Sequence, residues 1–223
     1  MDKITNAEIL AAVDHTQLNP AATWSQIRQL CREALEYQTA SVCIPPAYVA
    51  RVRKEFPKLN ICTVIGFPLG YHTTEVKVFE TKEALRQGAD EVDLVVNLTD
   101  VKNGDFGKVS GEIRVVKEAC GRRVLKVIVE ACYLTEQEKI QLCRCVNEGG
   151  ADYIKTSTGF GSGGAVLTDV ELFKRYIGPG VKIKAAGGIR TKKQLTDFLQ
   201  AGCARLGSSS AVKLLQDEEA GEN

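Results

Sequence analysis

Five polar residues stand where an apolar strand hands over to a loop: Asp14, Asp93, Glu130, Lys155 and Lys184. Lys155 has the most telling context. The stretch Gly149-Gly150-Ala151-Asp152-Tyr153-Ile154-Lys155-Thr156-Ser157-Thr158-Gly159-Phe160-Gly161 reads as a helix stop, a short strand and a glycine-rich loop. Two glycines end a helical run, because glycine enters the left-handed C′ conformation without steric cost. Residues 151–155 are too few for a helix and are bounded by turn signals, so they read as a buried strand ending on a lysine. A lysine is rarely buried unless something pairs with it or uses it. A buried amine beside a loop of hydroxyls and glycines suits amine-based covalent catalysis. The plainer alternative is a lysine that snorkels to solvent at a strand end.

Alternation places the others. Val92, Leu94 and Val96 would cover a helix layer, so Asp93 points inward. By the same rule Leu125, Val127 and Val129 face out, while Lys126, Ile128 and Glu130 face in. Ile154, Ile183 and Ala185 face out, which turns Lys155 and Lys184 inward. Acids and lysines then share one centre. A buried ion network that merely compensates itself is the bland reading, but such networks gain little over an apolar core. The chemistry is coherent. A free lysine has a pKa of about 10.4, so roughly 1 amine in 2500 is neutral at pH 7. A second ammonium about 4 Å away contributes roughly 4 kcal/mol at an effective dielectric near 20, which favours the neutral nucleophile. Lys184 beside Lys155 fits that need, and Asp93 can move protons as a carbinolamine and Schiff base form and collapse.

The elements that hold these residues alternate. A short N-terminal helix leads into a first strand ending near Asp14, with residues 15–20 as a loop. Thr23 caps a helix over 24–37 whose apolar face is Ile27, Leu30, Cys31, Ala34 and Leu35. Further strands are expected at 41–44, 61–65, 91–96, 124–130, 151–155, 181–186 and 204–207. Helices lie between and after them, one opened by the capping box Thr135-Glu136-Gln137-Glu138 and the last starting within 208–210. The acidic segment 217–223 reads as a loose tail. Eight strands alternating with eight helices, without a linker, predict a single α/β domain over residues 1–223, a (β/α)8 TIM barrel. A doubly wound open sheet is the competitor. A weak repeat supports the barrel. Gly88-Ala89-Asp90, Gly150-Ala151-Asp152 and Gly202-Cys203-Ala204 each end a helix, and five residues after each leading glycine stand Asp93, Lys155 and Gly207. Three units thus put a special residue at an equivalent height.

Barrel active sites lie at the C-terminal ends of the strands, often with a phosphate site in the loops after strands seven and eight. Gly187-Gly188-Ile189 and Gly207-Ser208-Ser209-Ser210 occupy those loops, offering open backbone, hydroxyls and a helix N-terminus. Composition narrows the rest. Apolar residues make up 44% and charged residues 26% of 223, a globular balance. The net charge of +1 gives no electrostatic case for nucleic acid or an acidic membrane. No apolar run approaches a membrane span, and residues 1–6 lack an apolar signal core, so a cytoplasmic protein is expected. Eight cysteines at irregular spacings, without Cys-x-x-Cys, read as reduced thiols rather than a disulfide framework or zinc site. The two histidines, His15 and His72, are too few for a histidine-rich metal site and lack the Gly-x-Ser-x-Gly partner of a serine triad.

Residues 151–160, with Glu91-Val92-Asp93-Leu94-Val95, Lys182-Ile183-Lys184-Ala185-Ala186-Gly187-Gly188-Ile189-Arg190 and Val13-Asp14-His15-Thr16, resemble the deoxyribose-phosphate aldolase family from Asp14 to Ser210. The resemblance implies a (β/α)8 Schiff-base aldolase without metal or cofactor. It would interconvert 2-deoxy-D-ribose 5-phosphate with D-glyceraldehyde 3-phosphate and acetaldehyde in deoxynucleoside breakdown. By motif, Lys155 is similar to the Schiff-base lysine, Lys184 to the lysine that perturbs it and Asp93 to the proton-relay acid. Asp14 resembles the acid paired with the second lysine, and Thr16 and Thr158 resemble substrate-hydroxyl contacts. Gly159, Gly187, Gly188, Ser209 and Ser210 match phosphate-loop positions. Cys43 matches a thiol near the site mouth, and packing in the core is the expected role for it. Two departures stand out. Phe160 replaces a lysine found in some members, and the chain ends without the terminal tyrosine that reaches the site in others. Family analogy adds a homodimer or homotetramer. The other hypotheses are a different Schiff-base sugar-phosphate lyase and a silent phosphosugar-binding barrel; the latter would have lost Lys155, Lys184 or Asp93, and all three are present.

Overall fold

The eight expected strands form, and each pairs in parallel with its chain neighbour until the last returns to the first. The computed structural model describes residues 4–221, with side chains as far as Gln216. The strands are β1 (Val13–Thr16), β2 (Ser41–Ile44), β3 (Ile61–Ile65), β4 (Glu91–Val95), β5 (Val124–Ile128), β6 (Tyr153–Lys155), β7 (Lys182–Ala186) and β8 (Arg205–Ser208). Around them lie α1 (Asn6–Ala11), α2 (Trp24–Glu36), α3 (Val49–Glu55), α4 (Thr74–Gln87), α5 (Leu98–Lys102), α6 (Phe106–Cys120), α7 (Glu136–Gly149), α8 (Leu167–Tyr176), α9 (Lys192–Gln200) and α10 (Ala211–Gly221). The closed ring excludes the open-sheet alternative.

Local chemistry sets the boundaries. Thr23 opens α2 and Thr135 opens α7 through reciprocal capping boxes with Gln26 and Glu138. Thr5 and Thr191 do the same for α1 and α9. Gly88 and Gly150 end α4 and α7 in left-handed conformations. Several expectations change: the last strand takes in Ser208, which was expected in the loop, and the last helix starts at Ala211 rather than within 208–210. The first strand continues through His15 and Thr16, because both pair across the sheet to β2. Strand β5 stops at Ile128, so Glu130 stands beyond it, at φ +51°. Leu35 is 48% exposed, at the edge of the α2 stripe rather than in it. Helix α10 carries the backbone on to Gly221 where a loose tail was expected from Asp217; Glu222 and Asn223 lie outside the described residues.

The apolar core lies between strands and helices, with Val42, Ile61, Leu94, Val127, Ile154 and Leu206 all fully buried there. The barrel interior is different. Strand register is staggered: Asp93 pairs with Lys126, but Lys155 pairs with Ile128, two residues further on. Carried around the ring, that stagger stacks side chains in layers of four from alternate strands. Ser41, Glu91, Tyr153 and Arg205 form the lowest layer. Asp14, Cys62, Lys126 and Lys184 lie above it, and Cys43, Asp93, Lys155 and Gly207 above those. The repeat in the sequence thus marks a true layer, with Cys43 as its fourth member.

Candidate active site

Asp93 is the hub of the two upper layers. Its Oδ2 accepts from Lys155 Nζ at 2.7 Å and from Lys184 Nζ at 2.7 Å. Its Oδ1 accepts from Lys126 Nζ at 2.9 Å and from the Cys62 thiol at 3.2 Å. Lys155 and Lys184 therefore lie no more than two hydrogen-bond lengths apart. Lys184 also donates to Asp14 Oδ2, whose other oxygen takes the Ser41 hydroxyl at 2.7 Å and Arg205. Lys126 reaches Glu91 Oε2 at 2.6 Å, and Arg205 joins Glu91 at 3.1 Å while lying over the Tyr153 ring. Asp14, Asp93, Lys126 and Lys184 are fully buried, and Lys155 is 3% exposed.

Burial alone would hold these groups neutral; the partners reverse that. Asp14 is pushed up by burial, but Lys184, Lys126 and Arg205 outweigh it and leave its carboxyl below the ordinary value. Asp93 follows the same logic under Lys126, Lys155 and Lys184, and ends well below. Burial works against the Lys184 ammonium, yet Asp14 and Asp93 raise its pKa above the usual lysine value. A carboxyl whose folded pKa is depressed adds stability that is whole above its unfolded value of about 3.9 and is lost as pH falls toward the folded value. The thermal midpoint is therefore expected to fall steeply below about pH 4, and Asp14→Asn should flatten that limb. Melting curves between about pH 3 and pH 6 check it; equal slopes in both proteins would contradict the buried pairing.

A cavity of about 550 Å³ opens above Lys155. Thr16, Thr158, Gly159, Gly187, Gly188, Ser209 and Ser210 all line it. Asp14, Asp93 and Lys184 lie beneath its floor. Gly187 takes φ +87°, and its carbonyl accepts from Ala165 N–H at 3.0 Å, which fixes the loop after β7. Gly207 gives its corner of the Lys155 layer to its neighbours; a Cβ there would come within 2.8 Å of Ala186 and 3.3 Å of Lys184. The Ser208 hydroxyl accepts from the Ser210 and Ala211 N–H groups at the start of α10, and Ser208, Ser209 and Ser210 all line the cavity. Cys43 is buried and packs with Cys62 and Val64, as expected of a core thiol. The donors of Cys43, Cys62 and Asp93 lie within 4.8 Å of one another, but both Asp93 oxygens already accept from ammonium groups. That is a poor setting for a further cation.

Three participants escaped the sequence reading. Alternation turns Lys126 inward without showing its task, alternation from Asp93 points Glu91 inward too, and nothing local marks Arg205. Arg190, at the end of the Gly-Gly loop, lines the cavity and is its one cation besides Lys155 among the described residues.

The model of the DeoC/LacD family aldolases matches residues 8–216. A deoxyribose-phosphate aldolase of Clostridium botulinum (strain Alaska E43 / Type E3) is 58% identical over 217 residues, 97% of this chain and 98% of that one. Another, from Clostridioides difficile (strain 630), is 53% identical over 212 residues, 95% of this chain and 97% of its own. The solved structure of a tetrameric deoxyribose phosphate aldolase from Aeropyrum pernix superposes with a TM-score of 0.87 at 33% identity, covering 97% of this chain and 93% of that one.

Proposed function

The chain belongs to the DeoC/LacD family of aldolases, and on that premise we propose that Lys155 is the amine that carries its substrate. The enzyme is a Schiff-base aldolase cleaving 2-deoxy-D-ribose 5-phosphate to D-glyceraldehyde 3-phosphate and acetaldehyde. The observation that carries the residue assignment is the single Asp93 oxygen shared by Lys155 and Lys184.

Lys155 Nζ adds to the C1 carbonyl, and loss of water from the carbinolamine gives the iminium. The C2–C3 bond then breaks, its electrons moving toward the iminium nitrogen, while the C3 hydroxyl loses its proton and becomes the aldehyde of the three-carbon product. The enamine takes a proton at C2, and hydrolysis frees acetaldehyde and the lysine. Asp93 lies within reach of the reacting nitrogen and relays protons. Lys184, anchored on Asp14, holds a positive charge beside that nitrogen, on the same Asp93 oxygen. Thr16 and Thr158 meet substrate hydroxyls. Gly159, Gly187, Gly188, Ser209 and Ser210 hold the phosphate at the start of α10, where N–H groups and the helix dipole favour an anion. Arg190 supplies the cation there that Phe160 does not.

The same reading makes residues 1–223 one catalytic domain and places it in the cytoplasm, acting in deoxynucleoside breakdown without metal, cofactor, nucleic acid or membrane. No helix among the described residues is long and apolar enough to cross a membrane. A homodimer or homotetramer is supported by the tetrameric relative and by Val76 and Phe79, which are exposed at i and i+3 of α4.

Borohydride reduction in the presence of 2-deoxyribose 5-phosphate, followed by peptide mass mapping, is expected to leave the adduct on Lys155. An adduct on Lys184 would reverse the two lysines. No adduct on a folded protein that still binds the phosphosugar would instead mean a silent binding barrel.

A further inference from the structure

Beyond β5 the chain makes an unusual turn whose side chain the mechanism above does not use. Glu130 sits at φ +51° and ψ +62°, the left-handed region that a residue with a Cβ seldom enters. It is 3% exposed. Such strain persists where the surroundings hold it, and it clusters at functional sites. Here both carboxylate oxygens converge on one residue of the substrate loop. Oε1 accepts from Thr158 N–H at 3.1 Å, and Oε2 accepts from the Thr158 hydroxyl. Thr158 Oγ1 in turn accepts from Phe160 N–H at 3.0 Å. The next residue of the turn ties in the same loop, Ala131 N–H donating to Thr156 O at 2.9 Å.

A hydroxyl has one proton and two lone pairs. In Thr158 the proton is committed to Glu130 and one lone pair to Phe160. A single lone pair is left, on a side chain that lines the cavity above Lys155. Thr158 can therefore only accept from a ligand. We propose that Glu130 is a positioning residue that fixes Thr158 as a one-way acceptor, so that the site selects substrates presenting a hydroxyl donor beyond the carbon bound to Lys155. This rests on the aldolase reading and on the Thr158 contact within it. A site built to hydrogen-bond a substrate hydroxyl discriminates strongly against compounds that lack it. The acetaldehyde half of the reaction has no such hydroxyl, so the selection falls on the sugar and on the three-carbon aldehyde that keeps the hydroxyl.

Glu130→Gln keeps the shape and breaks the polarity. If its amide oxygen meets Thr158 N–H, its NH2 faces the Thr158 oxygen and frees that hydroxyl to donate into the cavity. In the other orientation, NH2 and N–H confront each other. Two rates separate the roles: kcat/KM for cleavage of 2-deoxyribose 5-phosphate, and exchange of acetaldehyde methyl hydrogens with solvent deuterium. Exchange needs the Schiff base and its proton relay but no sugar hydroxyl. The expected result is a fall of about tenfold in kcat/KM, mostly through KM, with exchange kept within about twofold. Thr158→Val, which removes the hydroxyl from the other side, should show the same selective loss. Glu130→Gln added to it should then cost little more. Parallel loss of cleavage and exchange would make Glu130 a mere prop for Lys155 and overturn the proposal, as would additive losses in the double variant or an unchanged kcat/KM. A wild-type protein that exchanges no deuterium would sink the aldolase reading itself, and the proposal with it.

Discussion

Lys155→Ala is expected to abolish cleavage, by about a millionfold or down to background, while the barrel stays folded. The size follows from the role, since a covalent nucleophile removes the whole reaction path when it is lost. The intact fold follows from the geometry. Asp93 keeps Lys126 at 2.9 Å and Lys184 at 2.7 Å, so no buried carboxylate is stranded. A stability change within about 3 kcal/mol of either sign is expected, because a buried ammonium is costly to hold. Turnover measured beside a thermal melt separates the two effects. Near-normal turnover in a folded variant would refute the assignment of Lys155.

Lys184→Leu is the second large effect, and it differs in kind. The substitution leaves the nucleophile in place and removes the charge beside it. The rate is expected to fall by about a hundredfold to ten-thousandfold, the range of a lost acid–base group. The pH–rate profile should also change shape, because the charge beside the reacting nitrogen is gone. Stability should drop by about 3–5 kcal/mol, since Asp14 loses a buried partner and keeps Arg205 and the more distant Lys126 at 3.6 Å. Lys184→Arg should not rescue: the site is fully buried, and a planar guanidinium does not fit where a single ammonium bridges two carboxylates. A pH–rate profile that keeps its shape while the rate falls would leave Lys184 a structural role only.

Much of this was legible along the chain because strand alternation is strict. Once Ile154 and Ile183 were assigned to the helix layer, Lys155 and Lys184 had to turn inward, and they do. Helix starts were legible where a threonine and a glutamate or glutamine stand three apart, as at Thr135 and Glu138. Less was visible where long-range register decides. Arg205 looks like any strand-edge arginine until the ring closes and brings it to Asp14 and Glu91. Glu130 reads as the end of a strand because nothing local marks a glutamate for a left-handed turn. Its conformation is imposed by the loop it grips. Leu35 was misplaced for a milder reason: the helix period fixes a stripe, but not how wide a stripe the neighbours will cover.

The ion pairs of Asp14 join chain segments made at opposite ends of synthesis. Lys184 lies 170 residues later and Arg205 191 residues later. Until β7 and β8 dock, Asp14 has no such partners, and Lys126 is left with its nearer neighbours from β3 and β4. Such distant contacts reward the chain only after the full loop-closure entropy has been spent. A partly synthesised or partly refolded chain can thus hold strands and helices yet have no working centre. Recovery of catalysis during refolding should lag behind recovery of helical signal, and the lag would time the closing of the ring.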